Sequence, residues 1–69
     1  MKLSARNVIK GTVKAVKEGA VNDEVIVEIA PGIEMTSIIT SSSCQRLELE
    51  PGKEVYVLVK ASNVMLAAE

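Results

Sequence analysis

Histidine, tryptophan and phenylalanine are absent from this sequence of 69 residues, and tyrosine and cysteine occur once each. Without histidine there is no imidazole to act as acid, base or triad member. One cysteine cannot form a disulfide within the chain, and a zinc site built on histidines or several thiolates has no ligands. A large excess of charge of either sign is missing too: eight Lys plus Arg stand against nine Asp plus Glu, a net charge of -1. Nucleic-acid binders usually carry a clearly basic surface, so a strong electrostatic case for DNA or RNA is absent. No apolar run approaches the roughly 18 residues of a membrane span. The opening Met1-Lys2-Leu3-Ser4-Ala5-Arg6-Asn7 lacks the apolar stretch of a signal peptide. A cytoplasmic protein with no membrane partner is the expectation.

What is present is aliphatic: 48% of the residues are hydrophobic, and only 1% are aromatic. The length fits a single domain over residues 1–69. A domain this small hides only about 60% of its unfolded surface. Ordering costs roughly 1.5 kcal/mol per residue, which core burial barely offsets at this size. Disulfides are excluded and metal ligands are poor, so association between chains is expected.

Valine and isoleucine alternate with polar residues, the period of half-buried strands. Residues 7–16 read as a first strand with Ile9, Gly11, Val13 and Ala15 on one face, Gly11 marking a bend or bulge. Residues 17–23 read as a turn. Residues 24–30 follow as a second strand, with Val25, Val27 and Ile29 on one face. Pro31-Gly32 turns the chain into a third strand at residues 33–40. Ser41 to Ser43 with Gln45, Arg46 and Leu47 suggest a capped helical turn. Beyond Pro51-Gly52, residues 54–60 form a fourth strand with Val55, Val57 and Val59 in phase. Residues 63–67 offer a short fifth strand. The expected fold is all-β, an OB-like five-stranded antiparallel barrel with a short helical turn. Ile26, Tyr56 and Leu58 lie opposite the main valine stripes, so part of the outer surface is expected to be covered.

Three polar stretches fall at strand ends: Ser4-Ala5-Arg6-Asn7, Thr40-Ser41-Ser42-Ser43 and Lys60-Ala61-Ser62-Asn63. Each has a plain reading, as lead-in, helix cap or turn. Together they offer hydroxyls, amides and two cations, Arg6 and Lys60, with no carboxylate among them. That set suits a small oxyanion: hydroxyl and backbone donors fix its oxygens, and the cations offset its charge. A helix beginning near Ser41 to Ser43 would add oriented N–H groups.

The same stretches resemble molbindins, the Mop family of small molybdate-binding proteins. The resemblance is carried by Ser4-Ala5-Arg6-Asn7, by the first strand with Gly11, and by the ending Val59-Lys60-Ala61-Ser62-Asn63-Val64-Met65-Leu66-Ala67. Thr36-Ser37-Ile38-Ile39-Thr40, Ser43 and Arg46-Leu47 also fit, so the likeness covers the chain from Ser4 to Ala67. The chain is likewise similar to the ligand-binding portion of a molybdate-responsive transcription regulator and of molybdate-transporter ATPase subunits.

The resemblance implies an OB-like barrel whose N-terminal strand is exchanged between subunits, and a hexamer built as a trimer of such dimers. It implies molybdate or tungstate held between subunits by hydrogen bonds, for molybdenum storage and homeostasis, with no catalysis. One subunit would supply Ser4, the Ala5 backbone, Arg6, Lys60 and the Ala61 backbone, with Ser62 as an extra donor and Asn7 orienting the strand. The other would supply Thr40 and Ser43, or Ser42 after a shift of one. A second class of site, on threefold axes, would use the turn at Gly19, Ala20, Val21 and Asn22. No residue ligates a metal directly, and Cys44 is a small apolar filler. An OB-type nucleic-acid-binding module is the alternative, with Tyr56 as its single stacking surface.

Overall fold

The computed structural model describes all residues, 1–69. Four strands, β1 (Asn7–Lys17), β2 (Asn22–Ala30), β3 (Ile33–Thr40) and β4 (Glu54–Val59), form one antiparallel sheet in the order β3-β2-β1-β4. A short helix, α1 (Ser41–Arg46), lies between β3 and β4, and a single 3-10 turn spans Ala61–Asn63.

β1 is the spine of the sheet. Its first half pairs with β4, from Asn7 opposite Val59 to Thr12 opposite Glu54. Its second half pairs with β2, from Thr12 opposite Glu28 to Lys17 opposite Glu24. One strand serving two partners along its length makes the sheet curl. Gly11 permits that curl by close approach: a Cβ there would lie 2.6 Å from a Val27 methyl and 2.8 Å from the Glu28 carbonyl oxygen.

The bulge itself sits three residues later. The register slips between Val13 and Ala15, leaving Lys14 without a partner. An extra residue reverses the alternation beyond it. Val16 therefore joins Val13 toward the core, and Ala15, expected on that face, pairs with Ile26 on the other.

The core is small. Val13, Val25, Val27 and Cys44 are buried, with Val16, Ile29, Ile39, Leu49, Val55 and Val57 packed around them. β3 and β4 do not pair, so the curled sheet stays open along these two edges. The gap is an apolar cleft of about 190 Å³ with Val13, Val25 and Val27 at its base and Ile39 and Val57 on its walls.

The fifth strand expected at residues 63–67 does not form. Asn63 closes the 3-10 turn, and residues 64–69 join no strand. These residues are apolar enough for a strand, but they pair with neither of the open edges, β3 or β4. Val64, Met65 and Leu66 are exposed, the last two by more than nine-tenths.

α1 is held by its ends, since six residues are too few for a helix to persist alone. Thr40 caps the N-terminus: its hydroxyl accepts from the Ser43 N–H at 3.1 Å. At the other end Glu48 takes a left-handed conformation, φ 54. The Leu49 N–H reaches the Cys44 carbonyl and the Glu48 N–H the Gln45 carbonyl, a Schellman closure. Lys53 Nζ donates to the Leu47 carbonyl at 2.6 Å, satisfying a further free acceptor.

Candidate functional site

The antiparallel register settles where the polar stretches lie. Asn7 faces Val59, so the residues before β1 and after β4 emerge side by side. The Asn7 side chain reinforces this junction by donating to the Val59 carbonyl at 3.2 Å. Ser4, Ala5 and Arg6 from one segment and Lys60, Ala61 and Ser62 from the other line one groove of about 540 Å³, with Leu58 as its apolar wall. No carboxylate lines it, while a guanidinium and an ammonium do. The 3-10 turn is what brings Ala61 and Ser62 back toward the N-terminal segment: the Asn63 N–H bonds the Lys60 carbonyl at 2.8 Å.

Thr40 and Ser43 are not in this groove. Thr40 faces Asn22 at the opposite end of the sheet, where β1 finishes and β2 begins. β1 has 11 residues. At ~3.3 Å per residue its two ends stand on the order of 30 Å apart. Within one chain the two halves cannot touch the same small ion.

At that far end the hydroxyls are ordered among themselves. The Thr40 hydroxyl donates to Ser43 Oγ at 2.8 Å. Ser42 Oγ lies 3.3 Å from the same Thr40 oxygen. With the Thr40 proton directed at Ser43, Ser42 is left to donate to Thr40, and the Ser43 proton is free for an outside acceptor. Arg46 Nη2 approaches Ser43 Oγ at 3.5 Å and sets a cation beside it.

Ser41 turns the other way. Its hydroxyl donates to Asp23 Oδ1 at 2.6 Å, and its N–H donates to the Val21 carbonyl at 2.8 Å. The same Asp23 oxygen accepts from the Gly19 N–H at 3.2 Å. Asp23 is buried, only 3% exposed, and these two donors, Ser41 first, hold its carboxyl below the ordinary 3.8. Burial, and then the neighbouring Asp23 carboxylate, push the Cys44 thiol up, so it stays protonated and serves as core filler.

The Gly19–Val21 turn is therefore partly engaged already. Its Gly19 N–H belongs to Asp23, whereas the Ala20 and Val21 N–H groups have no partner within the chain. Gly19 itself has no space for a side chain, because a Cβ would collide with the Asn22 carbonyl oxygen.

Sequence reasoning missed Asp23 because residues 17–23 read as a turn. The signal was in the alternation: Asp23 is in phase with Val25, Val27 and Ile29, which places its carboxylate on the inner face.

Comparison with known proteins sets this geometry in context. The TOBE domain family matches residues 3–66. Molybdenum-pterin-binding protein 3 of Clostridium pasteurianum is 46% identical over 68 residues, covering 99% of this chain and 100% of that protein. The solved structure of a molybdate binding protein from Sporomusa ovata superposes with a TM-score of 0.92 at 35% identity, covering 99% of this chain and 100% of that one. The cytoplasmic molybdate-binding protein ModG, solved with molybdate bound, gives a TM-score of 0.83 at 45% identity. That match covers 96% of this chain and 53% of the ModG chain.

Proposed function

Because the chain belongs to the TOBE domain family, and within it to the molybdenum-pterin-binding (Mop) proteins, we propose that it binds molybdate, and tungstate, as intact oxyanions between the subunits of a cytoplasmic homo-oligomer. Its role is molybdenum storage and homeostasis, and it is a binding protein rather than an enzyme. The observation that carries this reading is the division of the polar residues. One half is a carboxylate-free groove with Ser4, Arg6, Lys60 and Ser62. The other is the Thr40–Ser43 pair at the far end of the sheet. Two chains laid head to tail would bring the groove of one against the hydroxyls of its partner.

The energetics favour such a shared site. A doubly charged anion leaves water only where several donors and positive charge replace its hydration. The groove alone is larger than one tetrahedral oxyanion needs, and a second surface has to close it. Arg6 and Lys60 supply charge, Ser4, Ser62 and the Ala5 and Ala61 N–H groups supply donors, and the partner adds its Ser43 hydroxyl, ordered by Thr40. Ser43 is preferred over Ser42 because its proton is the free one. Molybdate and sulfate present the same acceptors, so the closed cavity's size would discriminate between them.

Association has support in the same geometry. Only six of 69 residues are buried. The β3 and β4 edges are unpaired, residues 1–6 lie outside the sheet, and Met65 and Leu66 have no cover. Exchange of an N-terminal strand, and three such dimers in a hexamer, would cover these surfaces. The Ala20 and Val21 N–H groups of several subunits would then form the second class of site.

Native mass spectrometry with and without molybdate tests the assembly and the ion count together, and titration calorimetry supplies the affinity. Arg6→Gln and Lys60→Gln each remove a charge-assisted hydrogen bond, about 1.5–3 kcal/mol. At 1.4 kcal/mol per decade, that is roughly ten- to a hundredfold in affinity. A wild-type protein that takes up neither molybdate nor tungstate would end this reading.

A further inference from the structure

We propose that Asp23 is a positioning residue of the oxyanion site: its carboxylate clamps Ser41 and Gly19, and thereby holds the Thr40–Ser43 hydroxyls in their working geometry. The inference rests on the oxyanion reading above.

The first ground is burial. A carboxylate 3% exposed on the inner face of a small apolar core is costly unless its oxygens are satisfied. Here one oxygen, Oδ1, accepts from both Ser41 and Gly19. The second ground is what these bonds restrain. Ser41 is the first residue of α1 and follows Thr40 directly. Its hydroxyl is fixed to Asp23 and its N–H to the Val21 carbonyl, and its hydroxyl also lies 3.4 Å from the Gly19 carbonyl. A helix of six residues has little rigidity of its own, so its first turn is set by these outside contacts. The Thr40-to-Ser43 hydrogen bond sits on that turn. The third ground is charge. A negative carboxylate near an anion site repels the ligand, so attraction does not explain its presence. Geometry does.

That opposition makes the idea testable. Asp23→Asn keeps an oxygen at the Oδ1 position, retains both hydrogen bonds and removes the charge. Asp23→Ala removes both bonds. Ser41→Ala removes the clamp from the other side and leaves Asp23 in place with the Gly19 N–H, so it serves if Asp23→Ala does not fold. Molybdate affinity is measured by calorimetry on the assembled protein, at a temperature where circular dichroism shows each variant folded.

Positioning predicts that Asp23→Ala and Ser41→Ala each weaken binding by about tenfold, the scale of one charge-assisted hydrogen bond. It predicts that Asp23→Asn stays within about threefold of wild type, since neutral hydrogen bonds keep the same geometry at lower strength. The Asp23→Ala/Ser41→Ala double variant should be no weaker than either single one, because both remove the same clamp. A role in fold stability alone would lower the melting temperature while leaving the affinity of the folded variants unchanged, and that result overturns the proposal. Tighter binding in both Asp23→Asn and Asp23→Ala overturns it as well, because charge then governs. Failure of wild type itself to bind molybdate refutes the oxyanion reading and the positioning role with it. Wild-type binding with unaltered Ser41→Ala and Asp23→Ala refutes the positioning role alone.

Discussion

Replacing Gly11 by alanine adds a single methyl group, and the structure sets two opposing effects on it. In the unfolded chain alanine has fewer conformations to lose, which stabilises the fold by about 0.4–1 kcal/mol where the backbone accepts it. Gly11 is not in the left-handed region, so backbone conformation does not forbid the exchange. Packing opposes it. The new Cβ would stand 2.6 Å from Val27 Cγ1, 2.8 Å from the Glu28 carbonyl oxygen and 3.4 Å from Ile29 Cγ2. Val27 is buried and cannot swing clear, and the Glu28 oxygen is backbone, so β1 and β2 must separate. Overpacking of this kind costs typically 1–3 kcal/mol. The balance is a loss of about 1–2 kcal/mol once the entropic gain is taken off. A domain of this size shifts by roughly 4–8 °C per kcal/mol, so the melting temperature should fall by about 5–15 °C. The assay is thermal unfolding followed by circular dichroism, at one fixed chain concentration because association raises apparent stability. Gly32→Ala is the contrast: it has nothing within 4 Å but a φ of +74, so any loss there is conformational. An unchanged or raised melting temperature for Gly11→Ala would refute the claim that close approach of β2 is what requires glycine.

Two further predictions concern the Thr40 end of the sheet. Thr40→Ala removes the cap of α1 and should cost about 1 kcal/mol of stability. It also removes the donor that orders Ser43, so molybdate affinity should fall with it. Thr40→Ser should restore both, and an alanine variant as stable as wild type would exclude the capping role. For Asp23 the sign follows from its lowered folded-state value. The charged form is favoured by folding, so its stabilisation is present above the ordinary 3.8 and is lost as the pH falls through the lower folded value. Wild type should therefore exceed Asp23→Asn in melting temperature at neutral pH, and the gap should narrow below pH 3.8. A gap constant down to pH 2 would contradict the hydrogen-bond assignment.

The amino-acid sequence by itself determined the strands, because alternation of valine and isoleucine with polar residues is a local property. The β3 limits agree with the expected residues 33–40, and the other three strands differ by one or two residues at one end each. Composition also determined which chemistry was open. With no histidine and one cysteine, the three polar stretches had hydroxyls, amides and two cations, Arg6 and Lys60, to offer.

Partner strands decided the rest. The Lys14 bulge moves Ala15 out and Val16 in, and nothing within residues 7–17 announces it, because a bulge is a mismatch with β2. The strand expected at residues 63–67 is apolar enough, yet it pairs with neither open edge, β3 or β4. Asp23 looked like a turn residue until pairing with Ile39 extended β2 to include it. The Ser4–Arg6 and Lys60–Ser62 stretches, more than fifty positions apart, meet only because Asn7 pairs with Val59. Thr40 and Ser43 are held away from them because antiparallel pairing sends their ends of the sheet in opposite directions. Residue types and periods are written along the chain. Which residues share a surface is set by hydrogen bonds between distant segments, and only the folded sheet supplies those.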